Sequence, residues 1–285
     1  MTTRPRILLI AALAGLAAVV VATAVAGRAA GPSGPSDVPG LAEVHFLTIC
    51  RFSHRAPDDP IVFPKRPELS HDHSFFGSVA TDAFSTPASL LGTRTTCDRG
   101  DDSAAYWAPT LLVGTRAVEA LDAEVYYRRR TLARVRPFPP GLEMIGGDSK
   151  ARRPQSLRVT FWDCGRSGGV APRSTVPTCP DARGKSLRLN VRFPDCWNGR
   201  RVDSADHRSH MAYSDTGVCP RTHPVAVPSL ELRIQYPTRG GPGVQLSSRG
   251  QFSGHADFVN SWRQPGLARL VEYCLNALRN CGRGA

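Results

Sequence analysis

Eight cysteines spread from Cys50 to Cys281 constrain this chain more than any other feature: Cys50, Cys97, Cys164, Cys179, Cys196, Cys219, Cys274 and Cys281. An even set behind an export leader reads as four disulfides and a cross-linked fold. No two of them form a C-x-x-C pair, which argues against a thiolate zinc site. Proximity along the chain favours Cys164–Cys179, Cys196–Cys219 and Cys50–Cys97. Cys274–Cys281 is harder, because seven residues of helix would hold the two about 10 Å apart. The pair requires the helix to end between them, and Asn280 and Gly282 can supply that ending.

The leader is residues 1–30. Arg4 and Arg6 precede an uncharged apolar run from Ile7 to Ala26, and Ala24-Val25-Ala26 offers an A-x-A cleavage pattern. The run is long for a signal-peptide core and long enough to span a bilayer as a helix. Two readings therefore stand: a cleaved signal peptide, or an N-terminal membrane anchor made by residues 7–26. Both place the rest of the chain outside the cytoplasm, in the extracellular space or cell envelope, because the two arginines hold the N-terminus inside. GPSGPSDVPG at 31–40 reads as a linker. With no second linker and no internal repeat, residues 41–285 are expected to form one extracellular domain.

Several segments of that domain alternate with period two. Leu187, Leu189, Val191 and Phe193 form one apolar face, and Leu230, Leu232, Ile234 and Tyr236 form another. Leu157, Val159 and Phe161 suggest a third strand, and Val44–Ile49, Ala123–Arg128, Leu132–Arg136 and Val244–Ser247 suggest shorter ones. With Gly 26 and Pro 24 supplying turns, the pattern predicts a mainly β fold. The expected architecture is an antiparallel β-sandwich with long loops, a jelly roll being one form of it. One C-terminal helix is expected after Pro265, with Leu267, Leu270, Val271, Cys274, Leu275 and Leu278 on one stripe.

Net charge is +12, and 33 of the 36 basic residues are arginine. They are scattered, except for Arg128-Arg129-Arg130 and Arg134, a segment that could draw an anionic partner. Zinc-finger spacing and aromatic–basic interleaving are absent, so no nucleic-acid partner is expected. P-loop, G-x-G-x-x-G and G-x-S-x-G motifs in suitable contexts are also absent.

Candidate chemistry concentrates in four histidine-bearing strings. They are HRAPDDPIVFP with His54, Asp58 and Asp59; SHDHSFFG with His71 and His73; DSADHRSHMAY with Asp203, Asp206, His207 and His210; and GHADFVNSW with His255 and Asp257. An H-x-H pair on a strand sets both imidazoles on one face, where they can share a divalent metal if a third ligand arrives from elsewhere. His71, His73 and His210 form the first metal set considered, with His54, His255 or a nearby Asp as other third ligands. Imidazoles oriented by carboxylates also suit general acid–base work. Asp59, His71, His73, Asp203, His210, His255 and Asp257 are therefore the candidate catalytic groups. His54, Trp107, Trp197, Tyr213 and Trp262 are candidate ligand-binding groups, the aromatics as stacking platforms for sugar rings. The structural alternative is that these histidines satisfy loop backbone groups that lack a ladder partner.

The strings DDPIVFP, SHDHSFFG, TTCDRGDDSAAYWAPTLL, FPPGLEMIGG, FPDCWNGRRVDSADHRSHMAY and GHADFVNSW, in this order, resemble the DUF1996 family over roughly 45–262. The resemblance rests on His54, Asp59, Pro60, Ser70, His71, His73, Phe75, Phe76, Gly77, Trp107 and Pro109. It continues through Cys196, Trp197, His207, His210, Cys219, Pro220, His255, Asp257 and Trp262. Lys65-Arg66 after Pro64 departs from it, where the family more often has glycine. The resemblance implies a secreted protein of a kind found in actinobacteria and fungi, sometimes joined to carbohydrate-binding modules. It implies no activity. The expectation is an exported or anchored envelope protein whose His/Asp cleft binds or hydrolyses an extracellular polysaccharide or cell-wall glycan, with a divalent metal as the cofactor to test. The alternative is a non-catalytic, disulfide-stabilised structural or interaction module.

Overall fold

The computed structural model describes residues 1–2, 40–165, 170–180 and 187–283. Pro32–Ala285 forms one compact unit. The leader and linker lie outside the described residues except for Met1, Thr2 and Gly40. Among the described residues no helix is long and apolar enough to cross a membrane.

Among the described residues fifteen strands follow one another along the chain. They are β1 (His45–Ala56), β2 (His73–Gly77), β3 (Ala105–Pro109), β4 (Leu111–Val113), β5 (Arg116–Val118), β6 (Asp122–Arg128), β7 (Glu143–Gly147) and β8 (Thr160–Asp163). Then come β9 (Arg188–Arg192), β10 (Cys196–Trp197), β11 (Met211–Ala212), β12 (Val225–Ala226), β13 (Ser229–Gln235), β14 (Val244–Leu246) and β15 (His255–Val259). A single helical turn, α1 (Pro87–Leu90), lies between β2 and β3, and α2 (Gln264–Leu270) follows β15.

Nine strands make one sheet, in the order β7-β15-β3-β2-β1-β6-β13-β9-β8, with every pair antiparallel. The 12-residue β1 belongs to both halves. His45–Arg51 pairs with β6, and Phe52–Ala56 pairs with β2 after a register shift between Phe52 and His54. An irregularity of this kind bends a strand and sharpens its twist. The sheet folds over at β1 and returns so that edge strand β7 meets β9. A Cβ on Gly146 would lie 2.9 Å from the Arg192 carbonyl oxygen, so the approach requires glycine. The result is a nearly closed sandwich made from one bent sheet, rather than the two separate sheets of a jelly roll. Two three-stranded sheets, β11-β10-β12 and β14-β4-β5, complete it.

The core fills the inside of the bend. Leu187, Leu189, Val191 and Phe193 are fully buried, as are Leu230, Leu232, Ile234 and Tyr236. They belong to the same cluster as Phe76, Tyr106 and Phe258 from the other half. The segment at 157–163 differs from its expected pattern. Val159 and Thr160 both donate to the Ser156 carbonyl in a turn, so the strand begins only at Thr160. Trp162 enters the core in place of Phe161, and Leu157 stays exposed. Leu132–Arg136 forms no strand, because the Arg129 guanidinium takes the carbonyls of Thr131, Leu132 and Ala133 and holds an irregular path.

All four cysteine pairs are bridged: Cys50–Cys97, Cys164–Cys179, Cys196–Cys219 and Cys274–Cys281. The last closes because α2 loosens into a π-helical turn over Val271–Asn276 and the chain reverses at Leu278, with φ 55°. The helix therefore stops earlier than Asn280, and Leu278 is exposed rather than on the buried stripe.

The outer face of β7, β15, β3 and β2 is covered too. Phe75, Trp107 and Ile145 pack there with Ile61 and Leu90 from the long connection between β2 and its neighbours. This second layer turns an outer sheet face into a protected floor, and polar groups planted in that floor form the site.

Candidate functional site

Register builds the floor. His73 opens β2 opposite Pro109 on β3. Asp257 on β15 lies opposite Trp107, so counting two residues back brings His255 to the level of Pro109. His73 and His255 therefore flank the same residue of β3 from either side. Because side chains alternate along a strand, Asp257 and His255 project on one face. His71 joins from the loop just before β2. The ring centroids lie 4.2 Å apart for His71–His73, 5.0 Å for His71–His255 and 5.8 Å for His73–His255. One ring nitrogen from each lies within 4.8 Å of the others. Zinc ligated at about 2.0–2.1 Å would set such nitrogens roughly 3.3 Å apart, a spacing within that limit.

Backbone contacts decide which nitrogen faces inward. His73 Nδ1–H donates to the Asp58 carbonyl at 2.9 Å, and His255 Nδ1–H donates to the Ser253 carbonyl at 2.8 Å. Both rings therefore present an unprotonated Nε2. The Nε2 atoms of His71 and His73 are buried without any hydrogen-bond partner. Burial and the neighbouring imidazoles push His73 well down, burial brings His71 to about 4, and burial with His71 nearby brings His255 to about 3. All three are neutral near pH 7, the form that binds a metal. Gly147 makes the placement of His255 possible: it has φ +75°, and a Cβ there would come within 2.9 Å of the His255 Cα.

Carboxylates surround the rings. Asp257 Oδ2 is buried, lies 4.0 Å from His255 Nε2 and has no hydrogen-bond partner. Burial, with Asp59 nearby, pushes this carboxyl well above its usual range. Asp59 Oδ1 accepts the Ile61 and Val62 N–H groups, yet burial still raises its pKa. The buried Ser70 hydroxyl also lacks a partner. Asp59, Ser70, His71, His255 and Asp257 all line one open cleft of about 850 Å³. Beside it stands a second group of potential ligands, Glu143, Asp203 and His207. His207 Nδ1 bonds both Asp203 oxygens at 3.0 Å, and burial with Asp203 nearby lifts Glu143 to about 7.

The cleft thus brings together Asp59, His71, His255 and Asp257, with His73 fully buried beside the two histidines and Asp203 in the adjoining group. It does not include His210. That ring is buried with Nδ1 on the Ser204 hydroxyl and Nε2 donating to the Glu143 carbonyl, which leaves no nitrogen for a metal and corrects the first ligand set. His54 is spent similarly, on the Ser53 hydroxyl and the Thr81 carbonyl, and it stacks on Phe75. Trp107 and Trp262 are core residues, 0% and 1% exposed, and cannot offer a face to a sugar. Trp197 donates to the Arg201 carbonyl and Tyr213 to the Arg192 carbonyl. The arginine segment is also consumed internally: Arg128 and Arg130 are buried on Glu231, and Arg134 pairs with Glu272. Glu143 and the basic lip of the cleft were not legible in the sequence, where they look like ordinary scattered charge.

A family model described as Domain of unknown function (DUF1996) matches residues 59–262, well over half of the chain. No curated protein and no solved structure matches.

Proposed function

Because the chain belongs to the DUF1996 family, whose description assigns no activity, its role is read from its own cleft, and we propose that it is a metal-dependent hydrolase acting on an extracellular glycan. One observation carries the proposal. Two imidazoles are locked by backbone carbonyls in the tautomer that aims Nε2 at a third, and the convergent nitrogens include two with no partner in the protein. Buried polar atoms of this kind normally have a partner, and a metal supplies it. Three imidazoles suit zinc, with other divalent transition metals as competitors.

A structural zinc site is closed by four protein ligands, whereas three ligands beside an open cleft leave a position for water. The metal would lower the pKa of that water to about 7. A bound dication would also favour the ionised form of Asp257, which would then be placed to take a proton from water. Asp59, on the same cleft wall with a raised pKa, is the donor to the leaving oxygen. The polar, open cleft suits a hydroxyl-rich polymer, and the four disulfides fit an oxidising compartment outside the cytoplasm.

Metal content of the purified chain, followed by zinc titration calorimetry, tests the centre. One zinc per chain is expected, lost in His71→Ala and His255→Ala. Failure of the wild-type chain to bind any divalent metal would overturn it. Release of reducing ends from extracellular glycans, sensitive to chelator, tests the reaction, and a blank panel with metal-loaded protein counts against hydrolysis.

A further inference from the structure

Resting on that reading of the cleft, we propose that its substrate is an anionic polysaccharide, gripped through its carboxylate or sulfate groups by Arg208, with Lys150, Arg152 and Arg249 on the same lip. The four residues line the cleft and are exposed. None makes a side-chain hydrogen bond or ion pair among the described residues. The buried arginines of the sheet, by contrast, are paired. Arg128, Arg130 and Arg233 converge on Glu231, and Arg188 is bound to Asp163.

Arg208 lines the cleft together with His255 and Asp257 and follows His207 directly in the chain. Among the described residues the acidic groups on the lip form no ion pair with these four cations. Asp206 is turned onto the Arg208 and Ser209 N–H groups and the Ser204 hydroxyl, and Asp148 onto the Lys150 N–H. Two lip residues also hold a left-handed backbone that non-glycine residues rarely adopt: His207 at φ 55° and Arg249 at φ 86°. Such conformations cluster where a side chain must be aimed. A guanidinium offers paired N–H groups that match a carboxylate or sulfate in a way an ammonium cannot.

The test uses the full chain and a matched pair of polymers, dextran and dextran sulfate, with polygalacturonate as the carboxylate probe. Affinity electrophoresis and calorimetry should show binding to both anionic polymers, weakening as salt rises, and none to dextran. Arg208→Gln should weaken binding about tenfold, the size of one charge-assisted hydrogen bond, while zinc content stays at the wild-type level. Arg116→Gln, an exposed arginine on β5, controls for general positive charge. Equal binding to dextran, or equal losses in Arg116→Gln and Arg208→Gln, would overturn the proposal. Polyanion binding without zinc would refute the metal centre and leave the anion site standing, and zinc binding without anion preference would do the reverse.

Discussion

Two buried polar groups in this molecule solve the same problem in opposite ways. In the first, Trp262 Nε1–H donates to the Tyr127 hydroxyl at 2.7 Å, the Tyr127 and Tyr106 hydroxyls meet at 2.6 Å, and Tyr106 donates to Asp102 at 2.9 and 3.0 Å. Every member has a protein partner, and the chain crosses the core of the sandwich. In the second, His71, His73, His255 and Asp257 are gathered with equal care, yet the Nε2 atoms of His71 and His73 and the Oδ2 atom of Asp257 have no hydrogen-bond partner among the described residues. Burying a polar atom without a partner is destabilising. The first network ties the core together, and the second is the cluster proposed above to hold a metal.

The largest expected effect comes from breaking the connected chain. Asp102→Ala removes the acceptor of the Tyr106 O–H and of the Ala104 N–H and should cost about 3 kcal/mol, a melting shift of roughly 6–12 °C in a domain of this size. His71→Leu is the contrasting variant. Its ring makes no hydrogen bond, so the metal-free protein should remain at least as stable as wild type by the same denaturation assay. Next in size is metal addition. Zinc at about a hundred times its dissociation constant should stabilise wild type by about 2.7 kcal/mol. The gain should vanish in His71→Leu and persist in His54→Gln, whose ring lies outside the cleft.

The pH dependence of the metal-free protein separates the two groups by sign. Imidazoles with depressed folded pKa values contribute full stability above the unfolded value near 6.5. That stability falls as pH drops toward about 4 for His71 and about 3 for His255, because the unfolded chain takes up protons first. Asp102 works the other way. Burial raises it to about 8, so its contribution is complete below about pH 4 and is lost as pH rises through 8. Denaturation between pH 4 and 9 should show the acid limb softened in His255→Leu and the alkaline limb softened in Asp102→Asn. The smallest effect belongs to the solvent-exposed pair Arg134–Glu272, where Arg134→Ala should change stability by less than about 1 kcal/mol.

How much of this was readable in the chain varies by element. The faces of β9 and β13 follow from strict alternation, since burial on one side of a strand leaves a two-residue period. The strand at 160–163 was misplaced in phase because a local turn at Ser156 overrode the apolar pattern. His71 and His73 were visible as a pair, but nothing local distinguished His255 from His210 as the third member. The carbonyl that engages His210 belongs to Glu143, 67 residues away.

The amino-acid sequence by itself determined the mainly β class, most strands and the short list of histidines, and it favoured three of the cysteine pairs by proximity, because each depends on neighbours in the chain or on composition. Only the tertiary structure decided which histidines meet and which cations stay free. Those outcomes depend on register across β2, β3 and β15 and on hydrogen bonds and ion pairs between distant segments, and no local pattern encodes them.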